Sequence, residues 1–208
     1  MNTLQNRVMR ICQRLRIWQY RFLSDCARVE GRPIVRQPVQ LLGRGRIRFD
    51  GAVNLGYFPS PFFLSGYIHI EARSENSSIE IGDGVWINNN SFLISDGPGI
   101  RIGSRTMMGL HCEIIDSDFH DTHPDRRGAT GTPRTGKVDI GENVMIGSNV
   151  KILRGVKIGN NTVIANGSVV TRSVPENMLV FGNPAKATFM MTEQKPARAN
   201  DPESTHSR

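Results

Sequence analysis

The chain has 208 residues, 38% of them hydrophobic, with a net charge of +7 and three cysteines. That is enough for one domain with a real core, and the basic balance suits anionic ligands, a membrane surface or nucleic acid. Cys12, Cys26 and Cys112 are too few and too scattered for a disulfide framework or a metal pair, so reduced thiols in the cytoplasm are expected. No apolar run is long enough to span a bilayer, and recurrent arginines argue against a secretory signal. No helix-turn-helix, RNP or zinc-finger pattern supports a nucleic-acid partner.

In chain order, residues 1–39 read as a basic amphipathic helix followed by a linker. Leu4, Val8, Ile11, Leu15, Trp18 and Phe22 fall on one helical stripe, with Arg7, Arg10, Arg14 and Arg21 along its side. Two readings stay open. The stripe packs on the first turn of the following domain or on a neighbouring subunit, which is favoured because an unfinished coil offers a surface to bury. Alternatively residues 4–22 rest on an anionic membrane, a peripheral contact at its inner face.

Residues 40–189 read as an all-β solenoid. Ile140, Ile146, Ile152, Ile158, Ile164 and Val170 stand six apart. A period of six is neither helical nor simple strand alternation. It is the period of a triangular β-coil, one inward aliphatic residue per face. Small residues follow the inward one at Gly141, Gly147, Gly159 and Ala165. Ile81, Ile87 and Leu93 keep one earlier register, and Ile102, Met108 and Ile114 another. Residues 47–49 and 67–72 look like degenerate faces, with the solenoid starting near residue 40. Met107, Met108 and Met145 are candidates for an interface.

The period breaks after Ile115 and resumes at Val138. Loop 116–137 between them is polar, with glycine and proline punctuation, and loops of this length inside a compact repeat tend to be functional. It holds His120 and His123 with Asp116, Asp118, Arg126 and Arg127. Residues 190–208 lack any apolar period and are predicted to be a disordered tail.

The stretches DSDFHDTHPDRR, KVDIGENVMIGSNVKILRGVKIGNN and VVTRSVPENMLVFGNPAK resemble the hexapeptide-repeat acyltransferases. The closest likeness is to the sugar O-acetyltransferase branch, with its maltose, galactoside and cell-envelope polysaccharide enzymes. The resemblance implies a left-handed parallel β-helix, a homotrimer, and acetyl transfer from acetyl-CoA to a sugar hydroxyl without a metal. It places the general base at His120, with His123 second. The oxyanion donor maps to the backbone of Ser148, and the acceptor contact to Asn89, among Asn88, Asn89 and Asn90. Asp118 and Arg127 stand as further substrate contacts. Asn166, Gly167, Thr171, Arg172 and Lys186 map to coenzyme A. His111 falls on a coil face, where a structural or interface role is expected.

The same fold leaves N-acyl transfer and xenobiotic acetylation as alternatives. A γ-carbonic-anhydrase-like metal site would need His111, His120 and His123 to converge, and no histidine follows in the next coil. A non-catalytic scaffold is opposed by the loop histidine.

Overall fold

The computed structural model describes residues 2–128 and 131–190. Residues Thr3–Phe22 form helix α1. It begins with a capping box, in which Asn2 Oδ1 accepts from Gln5 N and Gln5 Oε1 accepts from Asn2 N, both at 2.9 Å. This satisfies donors that a helix start leaves open.

The chain then winds into six coils, residues 28–42, 46–72, 78–95, 100–115, 138–152 and 157–170. Each coil gives one short strand to each of three parallel sheets, so the body is a three-sided parallel β-helix. The inward residues stack in columns. Phe49, Ile81, Ile102, Ile140 and Ile158 line the first sheet. Leu55, Ile87, Met108, Ile146 and Ile164 line the second. Ile70, Leu93, Ile114, Ile152 and Val170 line the third. All are buried, so one continuous core runs along the axis.

Two edges of the prism turn through left-handed backbone three residues after the inward residue. One column is Gly84, Arg105, Asn143, Asn161 and Asn177; the other is Asn90, His111, Asn149 and Gly167, all with positive φ. Glycine and asparagine tolerate this conformation best. The Asn143 and Asn161 amides also donate down the first column, at 2.9 and 3.1 Å. The glycines one place after the inward residue serve a different need. A Cβ on Gly141 or Gly147 would lie 2.4 Å from the Asn160 or Asn166 side chain of the next coil.

Three expectations change here. The solenoid opens at Arg28 rather than near residue 40, because Arg28–Glu30 pairs in parallel with Arg46–Phe49. This terminal strand is exposed throughout, which hid it from the apolar pattern. Met108 belongs to the core column, while Met107 and Met145 face outward. The stripe on α1 does not pack on the coil: Leu4, Val8, Ile11, Leu15, Trp18 and Phe22 are all exposed. The helix is held from its opposite side by polar groups. Gln13 Nε2 donates to Phe63 O at 2.9 Å and Arg36 O at 3.1 Å. Arg16 donates to Gly66 O at 2.7 Å, and Tyr20 meets Tyr67 with ring centroids 4.7 Å apart.

At the far end, Met178–Gly182 extends the second sheet, and Ala185–Met190 turns back against it as a hairpin. The expected tail, apart from residue 190 in that hairpin, lies outside the described residues.

Candidate active site

The predicted site residues fall on two edges of the prism. Between the second and third sheets stand Asn88–Asn90, then Gly109–His111, then Gly147–Asn149, then Ala165–Gly167, one group per coil. A groove of about 330 Å³ runs beside this edge, lined by Tyr57, Trp86, Asn88, Met107, Met145 and Ser148 among others. Asn166 also borders it. The Tyr57 and Trp86 rings meet edge to face at 6.1 Å, and the Arg36 guanidinium sits 5.1 Å over Trp86. The groove thus joins an aromatic wall to two side-chain amides.

Asn89 does not face this groove. It is 0% exposed. Its Oδ1 accepts from Tyr57 N at 2.9 Å, and its Nδ2 lies 2.9–3.2 Å from the carbonyls of Tyr57, Ser60 and Pro61. Asn89 is a clamp for the loop of residues 56–67, aided by Gln37, which donates to Phe62 O at 2.7 Å. The asparagine that borders the groove is Asn88, whose Nδ2 donates to Ser60 Oγ at 3.1 Å and whose Oδ1 accepts from Asn89 N at 2.7 Å. His111 occupies a left-handed corner with its ring edge-on to Phe62 at 5.7 Å.

The Ser148 N–H is also engaged. It donates to Asn166 Oδ1 at 2.7 Å. Another acceptor reaches this donor only when the Asn166 amide turns aside. Beneath it lies Cys112, whose Sγ approaches Gly147 O at 3.0 Å. Burial pushes this thiol up to about 11, which keeps it protonated and non-nucleophilic near neutral pH.

The edge between the third and first sheets carries loop 116–137. Its two ends are zipped together. Ser117 bridges Thr135, Asp118 N donates to Arg134 O at 2.9 Å, and Gly136 N donates to Asp116 O at 2.9 Å. Asp116 roots it: the fully buried carboxylate accepts from Ser95 Oγ, Asp96 N and Gly99 N at 2.7–2.8 Å. Asp118 faces Arg154 Nε at 2.7 Å and Arg134 Nε at 3.6 Å. The Arg154 contact has ion-pair distance without hydrogen-bond alignment. Asp118 is therefore committed to arginines of its own chain rather than open to a substrate. Neither Arg154 nor the Arg73 guanidinium, 4.8 Å over the Phe119 ring, was singled out from the sequence. The six-residue period sets Arg154 at this edge, but its pairing with the loop is tertiary.

The loop histidines differ. His123 caps the short 3₁₀ turn Pro124–Arg126, its Nδ1 accepting from Asp125 N at 3.3 Å. His120 is exposed and its imidazole makes no hydrogen bond among the described residues. Its backbone is fixed, with its N–H donating to Asp118 O at 2.7 Å. Near the loop tip, the Arg126 guanidinium at 2.9 Å holds the Asp121 carboxyl below its usual range, helped by the His123 N–H. Arg127 is exposed and forms no ion pair among the described residues. Thr171 and Arg172 lie exposed on the same edge, two coils along, and Lys186 is exposed on the closing hairpin. Among the described residues no three His, Cys, Asp or Glu side chains converge as metal ligands.

A family model described as bacterial transferase hexapeptide (six repeats) matches residues 137–172. A maltose O-acetyltransferase from Clostridium difficile 630 is 24% identical, with 77% of this chain and 72% of that one covered and a TM-score of 0.51. The polySia-specific acetyltransferase NeuO is 20% identical over 83% and 88%, TM-score 0.53. AntD, an N-acyltransferase from Bacillus cereus in complex with dTDP and 3-hydroxybutyryl-CoA, is 19% identical over 82% and 84%, TM-score 0.54. The fold is the left-handed parallel β-helix of the hexapeptide-repeat transferases. In this β-helix His120 and Ser148 stand at opposite ends of the third sheet's face. That face is about six residues wide, or roughly 15–20 Å at strand rise. One chain does not bring the two together.

Proposed function

We propose that this chain is a coenzyme A-dependent acyltransferase that moves an acetyl group to a sugar hydroxyl. The observation that carries the reading is the exposed His120 imidazole, without a hydrogen bond among the described residues, on a firmly rooted loop of a hexapeptide prism. A hydroxyl is a weak nucleophile at neutral pH and needs a base with a pKa near the working pH, which histidine supplies. His120 accepts the hydroxyl proton as that oxygen attacks the thioester carbonyl. The carbonyl oxygen takes the charge and receives the Ser148 N–H once Asn166 turns aside. The tetrahedral species then expels the thiolate of coenzyme A, which takes the proton from His120. Acetyl ester and free thiol are the products. The buried Cys112 gives no route through an acyl-cysteine.

The acceptor is held in the groove by the Asn88 amide and the aromatic wall of Tyr57 and Trp86, which suits a sugar's hydroxyls and its apolar ring face. Arg172 and Lys186 suit the phosphates of coenzyme A. Because His120 and Ser148 occupy different edges, the reading requires neighbouring copies to share each site, and a three-sided prism is met by a homotrimer. An amine acceptor would use the same groups, as the likeness to an N-acyltransferase suggests.

The test is release of free thiol from acetyl-CoA against nucleotide sugars, amino sugars, free sugars and lipid-linked sugars. His120→Ala should lower kcat by roughly 10²–10⁴-fold, the range for a lost general base. His123→Ala should retain most activity. At limiting acceptor, mixed assemblies of His120→Ala and Asn88→Ala chains should regain turnover, because intact halves then meet. Near-normal turnover of His120→Ala would remove it from the mechanism, and mixtures that stay inactive would place both residues in one chain's site.

A further inference from the structure

Helix α1 leaves its apolar side uncovered. At about 100° per residue, Leu4, Val8, Ile11, Leu15, Trp18 and Phe22 span a narrow arc. The residues that hold the coil, Gln13, Arg16 and Tyr20, lie on the opposite arc. The exposure is large, with Trp18 at 69% and Phe22 at 78%. The two rings stack at 6.1 Å without reaching the coil. Phe58 and Leu64, from the loop that Asn89 clamps, carry the apolar surface on beside Leu4 and Val8.

The charge around this face is one-sided. Arg7, Arg10, Arg14 and Arg21 line one flank of the stripe, and no Asp or Glu precedes Asp25. None of the four arginines forms an ion pair among the described residues, whereas twelve Arg or Lys ion pairs occur elsewhere among them, from Arg44 to Arg154. A second copy's α1 laid face to face with the arginine flanks on one side would bring arginine against arginine. Among the described residues no helix is long and apolar enough to cross a membrane.

We propose that α1 is an in-plane anchor that seats the protein on an anionic lipid surface. The stripe enters the boundary between headgroups and acyl chains, and the arginines beside it reach back to lipid phosphates and carboxylates along their own flexible stems. The polar grip of Gln13 and Arg16 fixes the helix to the first coil, so the β-helix stands on the membrane at its N-terminal end.

The full chain is tested by sedimentation with vesicles of phosphatidylcholine alone and of phosphatidylcholine and phosphatidylserine in equal parts. It should sediment with the anionic vesicles, release as salt rises, and bind neutral ones weakly. Leu15→Glu with Trp18→Glu should abolish binding without lowering Tm, since both side chains are exposed. Arg7→Gln, Arg10→Gln and Arg14→Gln together should weaken it about a hundredfold. Equal affinity for both vesicle types, or none, would overturn the proposal. So would a stripe variant whose mass in solution falls below that of the parent, which would make this face a contact between copies.

Discussion

Asn89 spends both ends of its amide on the backbone of residues 57–61, whereas Asn88 donates to Ser60 Oγ and accepts only from the neighbouring Asn89 N–H. The difference predicts phenotypes of unequal size. Asn89→Ala strands several buried polar groups and should cost about 2–4 kcal/mol in urea unfolding. Asn88→Ala leaves only the Asn89 N–H and the Ser60 hydroxyl unmatched, so it should cost less, about 1 kcal/mol, and impair turnover at limiting acceptor. Equal stability losses for both would return Asn89 and Asn88 to the same role. Cys112 gives a second prediction, this time in pH. Its folded pKa, about 11, lies above the ordinary thiol value of 9.0 because burial disfavours the thiolate. The unfolded chain therefore loses this proton first. Any stability tied to the neutral thiol is whole below about pH 9 and is lost as pH rises towards 11, by roughly 2–3 kcal/mol at 1.4 kcal/mol per unit. The stability difference between the parent and Cys112→Ala should shrink across that window. A difference constant with pH would show that the thiol is not protected.

At the scale of elements, loop 116–137 depends on its root. Asp116 gathers a hydroxyl and two backbone N–H groups where the third sheet turns into the first. Asp116→Ala leaves three donors unmatched in a buried site and should lower stability by about 3 kcal/mol or more. It should also raise amide exchange in residues 116–136 while the coils beyond 138 keep their protection. Uniform exchange across the chain would mean that the loop and prism unfold as one. Phe119 adds to the rooting: it sits at φ 58°, an uncommon conformation for a bulky residue, under the Arg73 guanidinium. The residue that follows it is His120, so the position of the imidazole is set by contacts from two coils away.

Across the whole molecule, the six-residue period was legible because every inward Ile or Val is fully buried and any slip would expose a whole column. The root of the loop was legible for the same reason, as the place where the period fails. The first coil was not, since a terminal coil meets a neighbour on one side only and its strand stays exposed. Nor was the choice among three successive asparagines, which rests on a loop from an earlier coil folding over the edge. The orientation of α1 was misread because its contact with the coil is made by Gln13 and Arg16, residues that an apolar pattern does not register. The stacking of coils has one more consequence. Asn88, Gly109, Ser148 and Asn166 come from four successive coils, and neighbouring strands in a sheet lie about 4.8 Å apart. The edge is therefore a ruler with one mark per coil. An extended ligand lying along it meets a new set of backbone and side-chain groups at each mark. The length that the protein can measure is fixed by how many coils it has, and gaining or losing one would change that length by a single graduation.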